Sequence, residues 1–133
     1  MEIEDSNPVV RPTIHELAIA DGRDRALLIA DIISDTPARD TVVLDIHELS
    51  PYAGYFVITA GENERQLRAI SRTLIEKMAE AGVRPQRTEG TAASGWMVLD
   101  FGVALVHIFS LDQRDFYRLE ELWAEAPTLL AIQ

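Results

Sequence analysis

The feature that most constrains this chain is a change of hydrophobic period. In ENERQLRAISRTLIEKMAEAG, residues 62–82, Leu67, Ile70, Leu74 and Met78 recur at helical spacing and form one apolar stripe on an otherwise charged helix. The segments around it are short runs rich in β-branched and aromatic residues: TVVLDI at 41–46, YFVITA at 55–60, WMVLDF at 96–101 and ALVHIF at 104–109. A one-faced helix set among such strands has to bury its stripe on the sheet they make. That predicts an α/β fold with a mixed sheet. Asn63 and Gln66 are spaced for a capping box at the start of the helix, and Gly82 for its stop.

With 133 residues there is room for one core and one domain. Residues 1–12 contain two prolines and no periodicity, and read as a tail. The domain is expected over 13–127, with 128–133 as a second tail. From Thr13 to Asp35 the apolar positions Ile14, Leu17 and Ala18, then Leu27, Leu28, Ile32 and Ile33, suggest two helices interrupted at Asp21-Gly22. Pro85 to Glu89 reads as a short edge strand, where proline is tolerated, and brings the sheet to five strands. Asp112 is placed to cap a last helix with Phe116, Leu119 and Trp123 inward, ended by Pro127.

Composition narrows the function. Twenty-two acidic against twelve basic residues give a net charge of −10, which repels a phosphate backbone and favours a basic protein surface as partner. No apolar run approaches the roughly 18 residues that span a bilayer, and the acidic start is unlike a secretory signal. The absence of cysteine rules out disulfides and thiolate zinc sites and fits a cytoplasmic protein. His15, His47 and His107 are dispersed without metal-ligand spacing, and Gly61 lacks the companion residues of a phosphate-binding loop, so neither metal nor cofactor is expected.

The chemistry-bearing residues concentrate between Gly95 and Trp123. A two-residue hairpin at Gly102-Val103 places Val98 opposite His107 and Trp96 opposite Phe109, so that Trp96, Val98, Asp100, Leu105, His107 and Phe109 share one face. A three-residue loop would destroy the grouping. Asp100 orienting His107 as a general base would be a catalytic arrangement, but it needs a nucleophile or activated water, and Ser94 and Ser110 sit in no nucleophile-elbow pattern. Docking suits Trp96 and its neighbours better, because large aromatic side chains with a polar handle dominate interface energetics. In the last helix Arg114, Tyr117 and Glu120 form a polar and aromatic edge, available to a partner or to pin the helix to the sheet. Trp123 reads as core; Trp96 is either core or interface.

The ordered set DTVVLDIHELSPYAGYFVITAG, ENERQLRAISRTLIEKMAEAG, EG before the tryptophan strand, WMVLDFG, LVHIF and R-x-F-Y-x-L-E-x-L-W resembles the Iojap family, also called ribosomal silencing factor S, over roughly residues 14 to 126. The resemblance implies a nucleotidyltransferase-like fold with helices packed on a mixed five-stranded sheet but without its catalytic carboxylates. It also implies a non-enzymatic protein that binds the large ribosomal subunit through its universal protein fourteen, sterically blocks association with the small subunit and represses translation. By motif position the partner face is Trp96, Asp100 and His107, supported by Arg114, Tyr117 and Glu120. This chain departs from the family pattern at Gly54 and Val103, each of which replaces an acidic residue. Two other functions stay in view. A Mg-dependent nucleotidyltransferase would require Asp45 and Asp100 to meet across the sheet, since neither strand holds an Asp-x-Asp pair. A homodimeric interaction module would use the hairpin edge or the apolar face beside Trp96.

Overall fold

The computed structural model describes residues 14–51 and 53–133, with side chains from Gly22 onward. The tail expected over 1–12 and the side chains of Ile14, His15, Leu17 and Ala18 lie outside the described residues. In chain order the elements are α1 (Ile14–Ile33), β1 (Arg39–Asp45), β2 (Tyr55–Gly61), α2 (Glu64–Glu80), β3 (Arg87–Thr91), β4 (Trp96–Asp100), β5 (Ala104–Ser110), α3 (Leu111–Tyr117), α4 (Leu119–Leu122) and β6 (Thr128–Ile132). The six strands form one sheet in the order β3-β4-β5-β2-β1-β6, with β2 and β5 parallel and the other pairs antiparallel.

Each face of the sheet carries its own core. Tyr55, Val57, Leu99, Val106 and Ile108 point to the side covered by α1 and α2, where Ala26, Ile29, Ile33, Leu67, Ile70, Leu74 and Met78 pack on them. Phe56, Ile58, Phe109 and Leu44 point to the other side, with Leu119 and the partly buried Trp96 and Trp123. Buried on both faces, β2 is apolar or small at nearly every position; its threonine hydroxyl, on Thr59, is satisfied by Thr41 Oγ1 at 2.7 Å. α2 forms as its sequence predicts. The Asn63 side chain accepts from Gln66 N at 2.9 Å, and Gln66 Oε1 accepts from Glu62 N at 2.8 Å.

Several expectations need correction. The break at Asp21-Gly22 is absent, and α1 runs unbroken through it. Gly22 is there for space: a Cβ at this position would collide with Val103 Cγ2 of the β4–β5 turn, so the missing side chain lets the hairpin tip rest on the helix. The sheet has six strands, not five, because residues within 128–133 pair with β1 as β6 instead of forming a tail. The last helix is two short ones, split at Arg118 in the left-handed region (φ 49), and Ser110, not Asp112, caps the first by accepting from Gln113 N. The split turns Phe116 outward to 74% exposure while Leu119 stays buried.

Candidate docking face

The β4–β5 hairpin has the two-residue turn the sequence suggested. Phe101 N donates to Ala104 O at 2.9 Å, and the register pairs Trp96 with Phe109 and Val98 with His107. Strand alternation therefore puts Trp96, Val98, Asp100, Leu105, His107 and Phe109 on the α3 side of the sheet. Three of the candidate residues meet there. Trp96 Nε1 donates to His107 Nδ1 at 3.2 Å, and the Tyr117 ring lies 4.6 Å from the Trp96 ring, centroid to centroid. The chain of rings continues from His107 to Phe56 at 4.6 Å and from Phe56 to Trp123 at 5.3 Å; at its other end Phe116 stands on Tyr117 at 5.0 Å. Such edge and tilted contacts fix each ring against the next and make the face stiff.

His107 is the hinge of this arrangement. It is 7% exposed, and burial lowers its pKa from 6.5 to about 4, so the imidazole is neutral at pH 7. Because Nδ1 accepts the indole proton, the ring's own proton sits on Nε2. Nε2 is buried without a hydrogen-bond partner among the described residues.

The other candidates serve elsewhere. Asp100 does not orient His107: its Oδ1 accepts from Gly102 N at 2.8 Å and closes the hairpin turn. Arg114 and Glu120 pair with each other, Nε and Nη2 reaching Oε2 at 3.1 and 2.8 Å, while Nη1 reaches Arg39 O at 3.4 Å. This pair bridges the α3–α4 break and ties it to β1, so both residues brace the face from behind. Arg114 is the more buried, with a side chain 13% exposed.

The two departures from the Iojap pattern are neighbours in space, since Val103 O accepts from both Gly54 N and Tyr55 N at 2.9 Å. Asp45 and Asp100, the carboxylates a nucleotidyltransferase would need, do not meet. Asp45 shares the α1 side of the sheet with Val43 and Tyr55, Asp100 lies on the α3 side, and β5 and β2 stand between their strands. At about 4.8 Å per strand that is a separation of roughly 14 Å. Asp45 instead binds the His47 side chain and its backbone N–H.

The sequence reading missed a groove of about 340 Å³ between β3–β4 and α3, lined by Glu89, Ser94, Trp96, Val98, Gln113 and Tyr117. Ser94-Gly95 is its one legible signal. Gly95 has φ 80 in the β3–β4 turn, and a Cβ there would lie 2.7 Å from Gln113 Cγ and 2.8 Å from Ser110 Oγ, so glycine lets the turn close on the start of α3. The exposure of Phe116 and Leu122, 74% and 75%, was also missed. Among the described residues no helix is long and apolar enough to cross a membrane.

Known proteins resemble this chain in sequence and in fold. Residues 20–133 match the family described as "Ribosomal silencing factor during starvation". The ribosomal silencing factor RsfS of Bacillus subtilis is 37% identical over 93 residues, 70% of this chain and 79% of that protein. A mouse protein named "Mitochondrial assembly of ribosomal large subunit protein 1" is 29% identical over 99 residues, 72% of this chain and 43% of the mouse protein. A crystal structure of a Chromobacterium violaceum protein superposes with a TM-score of 0.74 at 27% identity, covering 77% of this chain and 86% of that one. With this fold, and with the match extending over nearly all of the described residues, the chain belongs to the ribosomal silencing factor family.

Proposed function

We propose that this protein binds the large ribosomal subunit, with the subunit's universal protein fourteen as its receptor, and by occupying that surface keeps the small subunit from joining, which lowers translation. The observation that carries the reading is the braced aromatic face of Trp96, Tyr117 and Phe116 on a member of the ribosomal silencing factor family. The name of the mouse relative, which ties that protein to large-subunit assembly, supports the same subunit as target. Steric exclusion requires a surface that does not yield, and the ring contacts together with the Arg114–Glu120 brace supply one. The acidic chain suits a basic partner. Trp96, Tyr117 and Phe116 contact the partner in this reading. Asp100, His107, Arg114 and Glu120 hold them in place.

Co-sedimentation tests it. The purified chain should travel with isolated large subunits, remain free of small ones, and reduce the yield of joined ribosomes. Phe116→Ser removes an exposed ring and should leave the melting temperature unchanged while weakening large-subunit binding about tenfold, the scale of a truncated interface anchor. Failure to comigrate at low salt, or subunit joining that proceeds unhindered under saturating protein, refutes the reading.

A further inference from the structure

The groove beside Trp96 has a specific chemical character. Its aromatic walls are the Trp96 and Tyr117 rings, which touch each other with centroids 4.6 Å apart and are inclined at 49°, so that they line the groove as two angled surfaces. The indole N–H is turned inward to His107, so the tryptophan offers an incoming group its π surface and no donor. Glu89 stands beside Val98 in the strand register and puts a carboxylate on the same side of the sheet. That carboxylate is paired with Arg87 at 3.2 Å, but the two side chains are 62% and 71% exposed, and an ion pair so open to water exchanges readily for a better-shielded partner. Ser94 and Gln113 add polar groups along the lining.

Electron-rich ring faces, a carboxylate and a net charge of −10 select one ligand class. An anionic side chain would be repelled, and an aliphatic one would desolvate Glu89 and Gln113 without pairing them. A guanidinium fits best, because it is flat, stacks on aromatic faces, is weakly hydrated and donates in a fork to a carboxylate. We propose that this groove is the receptor for an arginine side chain of the docking partner, its guanidinium held against the Trp96 and Tyr117 rings with Glu89 as counter-ion. Lysine is the weaker occupant. The assignment rests on the docking reading only for the identity of the protein that carries the arginine; the groove's preference is a property of the free chain.

The free chain can therefore be tested by nuclear magnetic resonance with blocked tripeptides Gly-X-Gly at constant ionic strength, X being arginine, its neutral isostere citrulline, lysine or glutamate. The Trp96 indole and Tyr117 ring signals should move with the arginine peptide, which should bind about threefold or more tighter than the citrulline peptide, with lysine between them and glutamate without effect. Glu89→Gln, at an exposed position that does not support the fold, should bring arginine down to the level of citrulline. Equal binding of arginine and citrulline, or movement of signals away from the groove alone, overturns the proposal. A chain that comigrates with large subunits yet shows no arginine preference keeps the docking reading and refutes this one. Arginine preference without comigration does the reverse.

Discussion

Lowering the pH acts on one buried group whose environment is fully described. His107 is held neutral in the fold down to about pH 4 by burial, while in the unfolded chain it protonates near 6.5. Between those values the unfolded state binds more protons than the folded one. This contribution to stability is therefore complete above pH 6.5, falls as pH falls through the window, and levels off below 4. At about 1.4 kcal/mol for each pH unit the whole contribution is about 3 kcal/mol, of which roughly 2 kcal/mol disappears between pH 7 and pH 5. Urea unfolding followed by tryptophan fluorescence reads this directly, since Trp96 is the hydrogen-bond partner of the imidazole. His107→Gln carries no titrating group. It should start less stable at pH 7, by about 1–3 kcal/mol for the disturbed ring packing, but lose about 2 kcal/mol less than the parent on going to pH 5. If parent and variant lose stability equally over that interval, His107 does not titrate as its burial dictates, and the description of the docking face as a neutral, fixed array fails with it.

Two further outcomes follow from packing. Gly22→Ala improves helix propensity by about 1 kcal/mol, yet its methyl group runs into Val103 Cγ2, so the net effect should be destabilising by about 1–2 kcal/mol; Val103→Ala in the same chain removes that clash and should recover part of the loss in a thermal melt, the Cβ of residue 103 and Tyr55 Cε2 still lying 3.1 Å from the methyl. Arg114→Met leaves the Glu120 carboxylate partly buried without its counter-charge and should cost about 2 kcal/mol in urea unfolding; Glu120→Gln in addition should recover part of that loss if the pair is coupled as its two hydrogen bonds to Glu120 Oε2 imply.

The candidate site was legible wherever it depended on alternation along the chain. Six residues fell on one sheet face because a two-residue turn fixes which strand positions oppose each other, and Trp96, His107 and Phe109 are neighbours for that reason alone. The roles within the site were not legible. Sequence spacing placed Asp100 and His107 on one face, but Asp100 bonds the nearer turn amide, whereas His107 is claimed by the indole across the strand. Phe116 kept helical spacing with Leu119 and Trp123, but the left-handed Arg118 resets the helix phase between them, and no local signal marks that residue. β6 reads as a tail in the sequence because Thr-Leu-Leu-Ala-Ile after Pro127 is too short to declare its partner, and the open edge of β1 that receives it exists only once the sheet has formed.

The amino-acid sequence by itself determined the elements and the sides they present, since the period of apolar residues, the cap at Asn63 and the hairpin register are set by contacts a few residues apart. It also carried the family, through motifs kept in order along the chain. Only the tertiary structure decided which polar groups find partners, why a glycine sits inside α1, and where the groove opens. Those outcomes depend on the distance between atoms brought together from different segments, and that distance has no counterpart in spacing along the chain.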